Sequence, residues 1–421
     1  MKTKVKKKLA VLTAIVAIGI STAFQSDFFE IAKQIDIYTT LFKELNMYYV
    51  DEVNPAKLTN TAINNMLESL DPYTKYYDEQ GVEDVKIIST GEYGGIGVIS
   101  ANKKEYLLVK EIFKNSPAER AGIKAGDQII KVGDVLVKHF EGENISMLVN
   151  GLPGTKVNLT VNRNNKNLTF NVERAKITIN PVPYFTMINN EVGYIAFIRF
   201  NEKAGYEVKK AYDQLKAEGM QKLIIDVRGN PGGLLHEAVN ITNYFIPKDK
   251  VVVTTKAKIE KWSDTYKTSN EPLDLTIPIV ILIDGKSASA SEILAGALQD
   301  YDRGVVVGER SFGKGLVQRY RELSYGTQMK LTISKYYTPS GRCIQELDYT
   351  NRDKKGNVPK FSDSGRETYT TAKGRKVYGG GGILPDVTLN KPKTTKTTEI
   401  LLQSDAFFNY ITNYYNKNPN I

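Results

Sequence analysis

The stretch Asp284-Gly-Lys-Ser-Ala-Ser-Ala-Ser-Glu292 is followed by an apolar run from Ile293 and then by Gly308-Glu-Arg-Ser-Phe-Gly-Lys-Gly-Leu-Val-Gln318. Ahead of it, Thr276 to Ile283 holds six apolar residues and a proline in eight positions, the composition of a buried strand that stops at the Asp284-Gly285 turn. Behind it, Ile293, Leu294, Ala297 and Leu298 recur at helical spacing, so the serines sit where a strand turns into a helix. A turn of that kind exposes a side chain and points free backbone N–H groups outward.

Ser287, Ser289 and Ser291 are the candidate nucleophiles. Ser289-Ala-Ser-Glu292 is also a capping box, a common way to start a helix, so the cluster has a purely local explanation. Lys314 favours chemistry: it stands between Gly313 and Gly315 and is followed by Leu316-Val317. Two glycines clear side chains from around the ammonium and let other backbone approach. In a water-poor site a lysine loses its proton more easily, because desolvation penalises the charged form, and the neutral amine can take a serine's proton. The pair is then a Ser/Lys dyad, a variant of serine catalysis.

Elimination narrows the chemistry. The two histidines are His139, in a polar segment that reads as surface, and His236, which reads as a helix position near the site; neither suits a Ser-His-Asp triad. The only thiol, Cys343, has no histidine near it in sequence, and one cysteine excludes an internal disulfide. Gly308 to Lys314 fits the first seven positions of a P-loop, but Gly315 replaces the Ser or Thr that holds magnesium, and a strand rather than a helix follows. Lys286, beside the serines, is the reserve candidate for the base.

Ser287-Ala-Ser-Ala-Ser-Glu292, the lysine 25 residues after the middle serine and the glutamine four residues beyond it resemble the carboxy-terminal processing peptidases, or tail-specific proteases. The resemblance implies Ser289 as nucleophile, Lys314 as general base and Gln318 as the residue that orients the lysine. Positions i and i+4 share a face of a strand, consistent with that last role. In Lys222-Leu-Ile-Ile-Asp-Val-Arg-Gly-Asn-Pro-Gly-Gly233 a strand meets a glycine-rich bend, which read alone is a turn. In the family it supplies half of an oxyanion hole, whose donors would be the N–H groups of Gly233 and Ala290. The same family implies an α/β core of the crotonase and Clp spiral type, hydrolysis without metal or cofactor, and protein or peptide substrates with a free carboxyl terminus.

At 421 residues, 41% hydrophobic and 25% charged, the chain has room for two or three domains. Its net charge of +10 includes lysines 2, 4, 6, 7 and 8, and no basic tract carries interleaved aromatics, so nucleic-acid binding is not indicated. Those lysines precede Leu9 to Phe24, sixteen residues without a charge, and Ser21-Thr-Ala23. Residues 1–24 therefore read as a secretory signal, with an uncleaved membrane anchor as the alternative, and the rest as exported to the periplasm or cell envelope.

Residues 25–87 read as a helical segment, suited to docking or to forming a homodimer. From 88 to 175 the order of elements resembles a PDZ domain: Tyr93-Gly-Gly-Ile-Gly-Val-Ile99, a helix start at Ser116-Pro-Ala-Glu119, the Ala125-Gly-Asp turn and two alternating strands after Pro153-Gly154. Gly94, Gly95, Ile96 and Gly97 would offer N–H groups to a terminal carboxylate while the strand from Val98 pairs with the peptide. Residues 176–388 form the expected protease core and 389–421 a linker with one closing helix. Two other classes stay open: a PDZ-type scaffold on a silent protease fold, and an acyl-binding protein of the crotonase type.

Overall fold

Residues 28–140, 148–361, 365–389 and 394–418 are described in a computed structural model of the chain, and the leader-like residues 1–24 lie outside them. The chain divides between Pro72 and Tyr73 into two units. In the first, helix α1 spans 28–48 and α2 spans Pro55–Glu68. Asn54 caps α2 by accepting the Lys57 N–H at 3.0 Å, and Pro55 occupies the first turn, where a missing N–H costs nothing. Ile31, Ile35, Tyr38, Leu41 and Met66 line one groove and remain exposed.

The second unit opens on a strand, β1 (Lys75–Tyr77), before α3 (Glu79–Thr90). The helical reading of 25–87 is corrected there: three residues are too few to show a period, and distant pairing fixes them as strand.

The PDZ-like order follows as β2 (Glu92–Gly95), β3 (Val98–Asn102), β4 (Leu107–Ile112), α4 (Pro117–Ala121), β5 (Gln128–Val132), β6 (Val135–Leu136), β7 (Lys156–Arg163), β8 (Lys166–Glu173) and β9 (Ala175–Thr178). One antiparallel sheet runs β3-β4-β5-β7-β8, with β3 at its edge, while β2 pairs with β9 as a separate ribbon. Alternation puts Leu107, Val109, Leu159 and Val161 into one apolar core with Ile96 and Ile129. Helix α4 starts as expected, Ser116 Oγ accepting the Glu119 N–H, but the Glu119 carboxylate accepts the Asn115 N–H rather than that of Ser116.

The core contributes β10 (Tyr184–Met187), β11 (Val192–Ala196), α5 (Ala204–Ala217), β12 (Lys222–Asp226), α6 (Leu235–Asn243), β13 (Val251–Ala257), β14 (Asp264–Lys267), β15 (Ile279–Ile283), α7 (Ala290–Asp300), β16 (Val305–Gly308), β17 (Leu316–Glu322), β18 (Gln328–Tyr337), β19 (Thr368–Thr370), β20 (Lys376–Tyr378) and β21 (Val387–Thr388). A six-stranded sheet runs β10-β11-β12-β15-β16-β21, parallel throughout from β11. Its strands read as continuous apolar runs because helices cover it, and α7 is buried along its whole length. A second sheet runs β1-β18-β13-β14 with β17 also on β18, so β1 belongs to the core.

The tail holds two helices, α8 (Lys396–Gln403) and α9 (Ala406–Lys417), not one; extended backbone at Ser404 separates them. Asp405 in that break pairs with Lys103 and Lys110 of the PDZ-like sheet at 2.5 and 2.6 Å.

Candidate active site

Three neighbouring parallel strands deliver the three parts of the site from their carboxyl ends, where open α/β sheets present ligands. Strand β12 ends at Asp226 and runs into the glycine bend. Strand β15, paired Asp226↔Leu282 with it, ends at Ile283 and runs into the serines. Strand β16, paired Ile283↔Gly308, runs into the loop carrying Lys314. Side chains separated by up to 88 positions in sequence, from Asp226 to Lys314, thus arrive at one edge.

The serines are not equivalent. Ser287, fully buried, donates to the Val227 carbonyl at 2.8 Å, and Ser291, fully buried, donates to the Asn230 carbonyl at 3.0 Å. Both clamp the glycine bend to the helix start. Asp284 completes the clamp, its Oδ1 accepting the N–H groups of Gly229, Lys286 and Ser287 at 2.9–3.0 Å. Burial raises the Asp284 carboxyl, but these donors outweigh it and hold it below its ordinary range. Ser289 is half-buried, with φ +56° and ψ −114°, a conformation costly for a side-chain-bearing residue and of a kind that clusters at functional sites.

Glu292 joins the Ser289 turn to the Lys314 loop. Its carboxylate, with no exposed surface, accepts the N–H of Ser289 at 2.7 Å and of Lys314 at 3.0 Å on Oε2, and the Ser311 hydroxyl at 2.6 Å and the Gly313 N–H at 2.7 Å on Oε1. The glutamate of the capping box therefore does more than start a helix. Burial pushes its carboxyl above the ordinary range, while the four donors pull the other way. The Ser289 carbonyl accepts from the buried Tyr336 hydroxyl at 3.1 Å. A Cβ on Gly315 would stand 2.7 Å from Gln345 N, and one on Gly313 2.7 Å from Glu346 Cβ, which is why glycines flank Lys314.

Lys314 is half-buried, and its ammonium lies 4.7 Å from the centroid of the Tyr73 ring. Tyr73, from the segment read as a docking helix, is a site residue that sequence reasoning missed. Gln318 donates to Thr332 Oγ1 at 3.2 Å. Lys314 precedes β17, so the face shared by alternate residues within a strand does not extend to it. Lys286, the reserve base, is exposed.

Gly233 lies in the glycine bend, and Ala290 opens α7 beside it, against Gly232. Gly233 bridges Phe200 using the Gly232 carbonyl and the Leu234 N–H, at 3.1 and 2.7 Å. Among the described residues, neither the Gly233 N–H nor the Ala290 N–H donates to a protein acceptor. A Cβ on Gly232, whose φ is +92°, would stand 2.8 Å from Ala290 N, so the bend touches the Ser289 turn. His139 and His236 are exposed. Among the described residues no cluster of His, Cys, Asp and Glu is arranged to hold a metal.

Gly94 and Gly95 lie in β2, paired with Lys176 and Ala175, and only Ile96 and Gly97 form the turn into β3. The loop read over four residues is therefore two residues long; the Ile96 side chain is buried, and Gly97 has φ +81°.

The profile of peptidase family S41 matches residues 191–351, and that of the PDZ domain residues 94–173. A carboxy-terminal-processing protease of Bartonella bacilliformis is 35% identical over 76% of this chain and 74% of its own. A protein of Staphylococcus aureus named "Probable CtpA-like serine protease" is 35% identical over 84% of this chain and 64% of its own. Among solved structures, a photosystem II D1 C-terminal processing protease is 27% identical, covering 88% of this chain and 97% of its own, with a TM-score of 0.46. The chain belongs to peptidase family S41 and is a carboxy-terminal processing serine peptidase with a PDZ domain.

Proposed function

We propose that the protein is an exported endopeptidase that takes hold of a substrate near its carboxyl terminus and cuts it with Ser289 and Lys314. The observation that carries the reading is the delivery of bend, serine turn and lysine loop by adjacent strands, with Glu292 fixing the last two. Lys314 Nζ, as free amine, takes the Ser289 hydroxyl proton while Oγ bonds to the peptide carbonyl carbon. The Gly233 and Ala290 N–H groups receive the developing oxyanion. The C–N bond then breaks, and the proton passes from Lys314 to the departing amine. Water attacks the acyl-enzyme, giving its proton to Lys314, and the C–O bond to Ser289 breaks as that proton returns to Oγ. Gln318 orients the site through Thr332.

Among the described residues strand β3 has one neighbour, β4, which leaves its other edge to a peptide strand beside the Ile96-Gly97 turn. The lysine-rich start and the uncharged run to Phe24 support export, with residues 1–24 serving as leader or anchor. Among the described residues no helix is long and apolar enough to cross a membrane. The exposed apolar groove of α1 and α2 supports pairing with a second copy.

The test is cleavage of an unfolded reporter protein with a free or an amidated carboxyl terminus. Slower cleavage of the amidated form supports capture by the PDZ domain; equal rates contradict it.

A further inference from the structure

Tyr73 and Thr74 stand more than 200 residues before the serines, in Leu70-Asp-Pro-Tyr-Thr-Lys-Tyr-Tyr77, and neither the dyad nor the oxyanion bend gives them a task. The fold brings both to the site. The Lys314 ammonium lies over the Tyr73 ring at 4.7 Å, and the ring is held edge-on by Tyr349, with centroids 6.2 Å apart at 86°. Thr74, buried, accepts the Thr332 N–H at 3.2 Å, and Thr332 Oγ1 accepts from Gln318. From Lys75 the chain pairs with β18, which fixes this dipeptide on the second sheet. One dipeptide therefore meets the lysine through its ring and the glutamine's partner through its hydroxyl.

We infer that Tyr73 is a positioning residue of the peptidase, whose ring seats the Lys314 amine by a cation–π contact and sets the pH at which that amine is free to act as base. The inference rests on Lys314 being the general base. The face of an aromatic ring attracts a cation and has no such hold on a neutral amine, so the contact favours the ammonium form. Other groups act on the same lysine. Glu292 on α7 accepts its N–H, and Glu346, paired with Arg310 and Lys360, packs against Gly313. The Tyr336 hydroxyl reaches the Ser289 carbonyl, and Tyr349 backs the ring. All of them remain when Tyr73 alone is replaced, and a leucine there keeps the surroundings apolar. The contribution of the ring is therefore separable.

The experiment is the pH profile of kcat and kcat/KM on the unfolded reporter for the full chain, Tyr73→Phe and Tyr73→Leu, with Lys314→Ala alongside. Tyr73→Phe keeps the ring and is expected to keep the midpoint of the rising limb. Tyr73→Leu is expected to move that midpoint to lower pH by about half a unit to one unit. Its plateau kcat should fall about tenfold as the amine loses its seat. If the Leu profile overlays the parent, or the Phe variant shifts as far as Leu, the inference is overturned. Lys314→Ala separates the two levels: an active Lys314→Ala sinks the base reading and this one together. An inactive Lys314→Ala beside an unshifted Tyr73→Leu sinks this one alone. Should Tyr73→Leu lose its melting transition, Tyr73→Met makes the same comparison.

Discussion

The backbone N–H groups of Ser289 and Lys314 end on one oxygen, Glu292 Oε2, at 2.7 and 3.0 Å. The proposed nucleophile and base, 25 residues apart in the chain, are thereby held to a common point.

Glu292→Gln tests that tie. The amide has one oxygen where the carboxylate has two, so its NH2 must face N–H donors on one side. We expect a folded protein with kcat lowered about a hundredfold, the usual effect of a small misplacement of reacting groups. The stability effect has a definite sign: burial raises the Glu292 carboxyl in the folded state, so its contribution is present below the ordinary carboxyl range and lost as pH rises through the folded value. Melting curves at pH 4 and pH 7 check this, the parent's advantage over the Gln variant shrinking at pH 7.

Gly232→Ala bears on the glycine bend. The added Cβ would stand 2.6 Å from the Ala288 carbonyl and 2.8 Å from Ala290 N, at a φ of +92°. Loss of one oxyanion donor costs about a hundredfold or more in kcat, and a drop of that size with KM little changed is the expected outcome. Steady-state kinetics at unaltered kcat would contradict the geometry.

The strand-turn-helix around the serines was legible because each part lies within one local window: six apolar residues, a turn, then a helical period. The PDZ order was legible for the same reason, through Ser116-Pro117 and Gly122. What local pattern could not give is the partner of each serine. Ser287 and Ser291 are spent on carbonyls 60 and 61 residues away, which leaves Ser289. Tyr73 was invisible because a three-residue strand shows no period and its pairing to β18 spans about 250 residues. Alternation along a strand could not link Lys314 to Gln318, because β17 begins only at Leu316, a boundary that spacing alone does not reveal. The tail read as one helix because its apolar pattern runs through Ser404, where an extended backbone ends the first.

Arg342 and Asp300 form an ion pair at 2.7 Å with essentially no exposed side-chain surface. Asp300 ends α7, the helix that begins beside Ser289. Removing one partner strands a buried charge, so Arg342→Ala should cost about 3–5 kcal/mol of stability. Lys209→Ala, at an i,i+4 pair in α5 whose two side chains are 45% and 52% exposed, should cost less than about 1 kcal/mol. Denaturant titration compares them, and equal losses would contradict the difference in burial.

Hydrogen bonds from Lys103 and Lys110 hold the Asp405 carboxyl below its ordinary range. A depressed carboxyl contributes above its unfolded value and loses that contribution as pH falls through the folded one. Protection factors of the α9 amides, taken against intrinsic exchange at each pH, should therefore fall in acid, and Asp405→Asn should show the low protection already at pH 7. Slow exchange in that variant would mean that apolar packing alone holds the tail.

Cleavage of the unfolded reporter by the parent, Ser289→Ala and Lys314→Ala, each without residues 1–24, tests the dyad most directly. The account predicts fragments from the parent alone, with both variants retaining the parent's melting transition. Fragments from folded Ser289→Ala at the parental rate would contradict it.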